Sequence, residues 1–153
     1  MNILKALTIV TCLMTSTFSF ADDTKIYDVR CWQTTNPQTL KPIQLEFRIY
    51  AKKDRWTSEY SDWAFAKVRY GKDHKDIDVK FNDTKEVQGV DGRPSHVRHY
   101  FTEIYQGKVN GRYTFDSQGA NVWGLKYYAK NSKTPLSFEE APNLLDSNAD
   151  SCF

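Results

Sequence analysis

The sequence lacks an apolar run of the roughly 18–20 residues that a membrane-spanning helix needs. It also lacks a strong charge of one sign. Lys plus Arg number 21 against 19 Asp plus Glu, a formal charge of +2, so no overall field draws the chain to nucleic acid or to anionic lipid. Glycine (7), proline (5) and methionine (2) are scarce, and there is no internal repeat or low-complexity segment, which excludes fibrous and disordered classes. The signatures of common catalysts are missing as well: no GxSxG elbow, no HExxH pair and no phosphate-cradling glycine loop occurs. Cysteine is limited to three residues, and their positions carry information.

Residues 1–21 read as a secretory signal peptide. Lys5 supplies the basic start, Ala6, Leu7, Ile9, Val10, Leu13, Met14 and Phe18 the apolar stretch, and Ser19 and Ala21 the small residues before a cleavage site. Removal leaves 132 residues, enough for one domain that buries roughly two-thirds of its unfolded surface, and takes Cys12 away. Two cysteines remain, Cys31 and Cys152. In a periplasmic or secreted protein they admit a single intramolecular disulfide, and their spacing is unlike a redox CxxC pair. Such a bond closes residues 22–153 into one unit and restricts the unfolded chain by roughly 4–5 kcal/mol in the chain-entropy picture.

Aromatic residues are abundant, with 4 Trp, 9 Tyr and 9 Phe, which favours strands. Ile43, Leu45, Phe47 and Ile49 alternate with polar neighbours, as do Ile77, Val79 and Phe81, then Trp123, Leu125, Tyr127 and Ala129. This is the period of antiparallel strands with one wet face. The same alternation in Tyr27, Val29 and Cys31 predicts that Cys31 points inward. Turn residues recur at Gly71–Asp76, Asp91-Gly92 and Ser117–Gly119. A hairpin turn is expected at Gln106-Gly107, with Asn110-Gly111 a bulge or the strand's end, because Val109, Gly111, Tyr113 and Phe115 share one phase. The stretch around Trp56, Tyr60 and Trp63 reads as a loop leading into a strand at 63–70. Pro142 limits any helix near the C-terminus to one turn. The fold class is therefore all-β: a single small antiparallel barrel or sandwich of about seven or eight strands.

The segment from Val90 to His99 is the most suggestive for recognition. Asp91-Gly92 makes a turn, Pro94 stiffens it, and Arg93, Ser95, His96, Arg98 and His99 gather hydrogen-bonding groups. A stiff loop loses less entropy on docking, and tryptophan and tyrosine are the residues that dominate contact energy at interfaces. The leading expectation is a periplasmic or secreted, non-enzymatic binding protein, an inhibitor or immunity-type partner of a cell-envelope-acting protein, with no cofactor. An alternative is a lipocalin-like carrier holding an apolar or glycan ligand among Trp32, Trp123 and Tyr127; it requires an internal cavity. A second alternative is a small hydrolase in which His74, His96 or His99 works beside a carboxylate. No metal site is expected: His96 and His99 fall on opposite faces of a strand, and lysines interrupt the acidic cluster around His74.

Overall fold

A computed structural model describes residues 24–153 except 55, 58, 72–74, 89–91, 93, 120, 147 and 149, and except the side chains of residues 60–62 and 88. Residues 1–23, which include the expected signal peptide and Cys12, and also His74, Asp91 and Arg93, lie outside the described residues. Seven long strands follow one another: β1 (Thr24–Thr35), β2 (Pro42–Lys53), β3 (Tyr60–Tyr70), β4 (Ile77–Gln88), β5 (His96–Tyr105), β6 (Lys108–Gln118) and β7 (Asn121–Ala129). Two short ones, β8 (Leu136–Ser137) and β9 (Glu139–Glu140), precede a single 3-10 turn at Pro142–Leu144.

Each long strand pairs antiparallel with the next, and all nine belong to one sheet in the order β8-β7-β6-β5-β4-β3-β2-β1-β9. Seven meandering strands leave β1 and β7 running in the same direction with a gap between them. Residues 136–140 fill it. Leu136 and Ser137 pair with Tyr127 and Lys126, while Glu139 and Glu140 pair with Gln33 and Trp32. The Phe138 N–H donates to the Leu125 carbonyl and the Ala141 N–H to that of Cys31, each at 2.8 Å. One extended segment thus bonds to both edges, and the sheet becomes a nearly closed barrel with its edges covered.

Aromatic and aliphatic side chains fill the interior. Trp32, Leu45, Phe47, Ile49, Val68, Val79, Phe101, Tyr113 and Leu125 are buried in one cluster. Phe47 lies edge-on to Phe101, Tyr113 and Phe115 with centroids 5.2, 5.5 and 5.9 Å away, the arrangement that ring quadrupoles favour. The hairpin turn falls at Gln106-Gly107, with φ of 50° and 73°, the left-handed pair that a tight two-residue turn requires. Asn110 is the bulged residue: Glu103 pairs with Gly111 and Ile104 already with Val109. The strand expected from residue 63 begins at Tyr60.

Cys31 requires a correction. It does not point inward. Cys31 pairs with Glu46 and Trp32 with Leu45, and it is Trp32 and Leu45 that enter the core. A register shift between Ile26 and Asp28 breaks the simple alternation, and Tyr27 stays half exposed. Cys31 is nevertheless buried because the C-terminal tail covers the outer face of β1–β3, tied down by the Cys31–Cys152 disulfide across 121 positions. Glu46, on the same outer face and only 1% exposed, organises the tail. Its carboxylate accepts the Cys152 N–H at 2.6 Å, the Ser151 hydroxyl at 3.0 Å and Arg69 Nη2 at 3.1 Å, and pairs with Arg48 Nε at 2.7 Å.

Burial alone would push the Glu46 carboxyl up, but the Cys152 N–H, the Ser151 hydroxyl and the two arginines together hold it below its ordinary value of 4.5. A carboxyl lowered in the folded state adds stability that is complete above its unfolded value and is lost as pH falls through the folded one. Glu46→Gln is therefore expected to lower the melting temperature at pH 7 and to flatten the acid limb of a melting-temperature profile below about pH 4.5. An unchanged acid limb would place the loss elsewhere.

Candidate functional site

At one end of the barrel the end of β3 at Tyr70, residues 75–77, the residues flanking the Gln106-Gly107 hairpin and Tyr127 of β7 come together. β5 reaches this mouth with His99, Phe101 and Glu103 on its inner face, so that strand alternation carries a carboxyl group to a position otherwise given to core residues. Glu103 is 1% exposed. Burial of such a group is tolerated only with partners, and the neighbouring strands supply them. Tyr113 Oη donates to Oε2 at 2.5 Å; Asn110 Nδ2 and Tyr127 Oη donate to Oε1 at 2.5 and 3.1 Å. Tyr70 extends the chain through a hydroxyl–hydroxyl bond to Tyr113.

Local structure explains the convergence. The bulge at Asn110 turns its amide toward Glu103, as bulges characteristically re-aim side chains. Gly111 follows it and faces Tyr127; a Cβ there would collide with the Tyr127 ring. Burial raises the pKa of the Tyr70, Tyr113 and Tyr127 hydroxyls, and the proximity of Glu103 adds to the shift. All three stay neutral O–H groups through the physiological range, fixed as donors. Over this cluster opens a cavity of about 640 Å³, walled by Tyr70, Tyr105 and Tyr127, by Ile77, and by the charged pair Lys75 and Asp76. A carboxyl oxygen flanked by oriented hydroxyls and aromatic faces can accept hydrogen bonds from an entering polar group. Glu103 lines the cavity together with Asn110 and Tyr127, the two donors to its Oε1.

The residues singled out from the sequence lie toward the opposite end, and of the described ones only His96 and Arg98 meet, on the Asp116 carboxylate. Arg93 is outside the described residues. Ser95 donates to Glu86 at 2.7 Å. Arg98 grips Asp116 with two bonds of 2.6 and 2.9 Å, and His96 approaches the same carboxylate at 3.4 Å. Asp116 is lowered chiefly by the Arg98 hydrogen bonds. His99 turns inward, between Ser117 at 2.7 Å and Thr84 at 3.2 Å, with the Trp63 and Phe115 rings 4.5 and 5.0 Å away. The aromatic trio of the carrier alternative is dispersed: Trp32 is in the core, Tyr127 at the mouth, and Trp123 partly exposed beside His96. Among the described residues no cluster of three His, Cys, Asp or Glu side chains could hold a metal, and no helix is long and apolar enough to cross a membrane.

Glu103 was not singled out from the sequence, although a signal existed. An acid two residues after Phe101, in the phase of the inward positions, is out of place on a core face. Its partners come from β6 and β7, and only the pairing register brings them together.

Two outcomes follow from these contacts. Gly111→Ala should destabilise by about 1–3 kcal/mol, the range for forcing extra volume into a filled site, and should displace Tyr127; chemical denaturation and the Tyr127 ring resonances report both. Burial depresses the His99 pKa below 6.5, so the unfolded chain binds more protons and stability declines as pH falls from 6.5 toward the folded value. Replacing His99 by Gln should remove that part of the slope in thermal melts. No family model, curated protein or solved structure matches the chain, so the purpose of the mouth is argued from its own geometry.

Proposed function

We propose that this is an exported, non-enzymatic binding protein of the cell envelope or extracellular space, and that its recognition site is the tyrosine-walled mouth around Glu103. The carrying observation is a buried carboxyl group held by Tyr113, Tyr127 and Asn110 directly beneath an open cavity of about 640 Å³. An aliphatic side chain at position 103 would suit the fold alone and avoid the desolvation of a carboxyl group. Retaining the acid there, within a fixed set of hydroxyls, suits recognition of a hydrogen-bond-donating group, an ammonium or a hydroxyl, presented by a protein partner. The packed interior supports this reading over the carrier alternative. Phe47, Phe101, Tyr113 and Phe115 occupy the space where a lipocalin-like ligand would lie, so an entering group stops at the mouth.

Export is supported by the signal-like N-terminal segment, and the disulfide fits an oxidising compartment. The Ser95–His99 segment remains a second contact surface in this proposal; its described side chains are already engaged with Glu86, Asp116 and Ser117.

The test is affinity capture from an envelope extract of the source cells with the oxidised mature protein, comparing wild type, Glu103→Gln and Tyr105→Ala. Tyr105 is half exposed and makes no hydrogen bond to Glu103, so its replacement trims the mouth without disturbing the buried network. The expected result is a retained protein that both variants lose by tenfold or more. An identical retained set for all three forms would refute the mouth as the recognition site.

A further inference from the structure

The outer wall of the same barrel end carries a second, differently charged depression. On the outer face Lys80 of β4 pairs with Thr102 of β5, Thr102 with Arg112 of β6, and Arg112 with Tyr128 of β7. Below this row the chain leaving β7 turns at residues 129–133, held by Lys130 N–H to the Asn110 carbonyl and Ser132 N–H to the Ala129 carbonyl, both at 2.8 Å. Between row and turn lies a groove of about 410 Å³ lined by Thr102, Arg112, Tyr128, Lys130, Ser132 and Lys133, and its lining includes no acidic residue.

Arginine usage across the molecule sets this groove apart. Arg30 is paired with Asp28 and Glu140, Arg48 and Arg69 with Glu46, and Arg98 with Asp116. Among the described residues Arg112 is the only arginine without a carboxylate partner. It lies instead over the Tyr128 ring, 5.0 Å from its centroid, a contact that orients the guanidinium and leaves its N–H fork unspent. Lys130 and Lys133 add two charges with no ion pair among the described residues.

We propose that the groove is a binding site for a small acidic saccharide, one carrying a phosphate or carboxylate group. The Arg112 fork matches the two oxygens of such a group, and the lysines supply compact charge beside it. Thr102 Oγ1 accepts from Asn82 Nδ2 at 2.7 Å and keeps its proton to donate, Ser132 Oγ donates to the Thr134 carbonyl at 2.8 Å and keeps its lone pairs to accept, and the nearby Asn131 amide adds a donor and an acceptor for sugar hydroxyls. Val109, half exposed, gives an apolar face for a ring. The groove's volume lies at the small-molecule end of ligand sites, a fit for one or two sugar rings. The near-neutral chain as a whole offers no extended field for a long polyanion, so attraction is confined to this spot. The site is separate from the mouth: Gly111 and the consecutive Tyr127 and Tyr128 divide the inner from the outer side of the wall.

The experiment is a heteronuclear NMR titration of the oxidised mature protein with glucose 6-phosphate, glucuronate, glucose and inorganic phosphate, repeated for Arg112→Gln and Lys130→Gln. Both residues are exposed, and melting curves verify that the variants fold. Saturable shifts confined to Thr102, Arg112 and residues 128–133 are expected with glucose 6-phosphate or glucuronate. Binding should weaken at least tenfold in Arg112→Gln and decline with added salt. Four outcomes would overturn the proposal: no saturable shift with either acidic sugar, inorganic phosphate bound as tightly as glucose 6-phosphate, glucose bound as tightly as either acidic sugar, or an affinity unchanged in Arg112→Gln.

Discussion

The fold depends on residues 136–140 pairing with two strands at once. Seven meandering strands cannot satisfy the outer edges of β1 and β7 by themselves, and an exposed pair of edges invites association with other chains. The short segment between Pro135 and Ala141 donates and accepts on both sides and lets Phe138 enter the core. It is held from beyond by Glu46, which gathers the Cys152 N–H, Ser151 and two arginines, and by the disulfide that welds the last residues to β1. A carboxylate on the outside of the barrel and a covalent bond beside it therefore secure a seam they do not themselves form.

Closure has a consequence for function. A barrel of this size fills with its own side chains, here a cluster of aromatics around Phe47, and a filled barrel can meet other molecules only at its ends and on its outer wall. The two buried acids divide these roles by environment. Glu46 is surrounded by arginines and backbone donors and is spent on architecture. Glu103 is surrounded by neutral hydroxyls and an amide, with no cation in hydrogen-bond reach among the described residues, and faces an open cavity.

Much of the barrel was legible in the sequence because strand alternation is a local property. The inward faces of β2 and β4 follow from Ile43 to Ile49 and from Ile77 to Phe81, and the Gln106-Gly107 turn with the Asn110 bulge follows from the phase of β6. Cys31 was misread for a reason that is equally physical. Burial has two sources in this molecule, the core inside and the tail outside, and a periodicity argument assumes only the first. The candidate site was largely illegible. Arg98 and His96 look available in a linear reading, yet Asp116 sits opposite Arg98 on β6 and takes both.

By itself the sequence determined the class of protein: an all-β fold from alternation and aromatic content, at a length that suits a small domain, with Cys31 and Cys152 available to pair. These are consequences of composition and short-range pattern, which the chain carries before any distant contact forms. Tertiary structure decided the closure of the barrel, which face Cys31 occupies, and the meeting of Glu103 with Tyr113, Tyr127 and Tyr70. Each depends on the pairing register between strands, and a shift of one residue would have sent every one of those side chains to the other face.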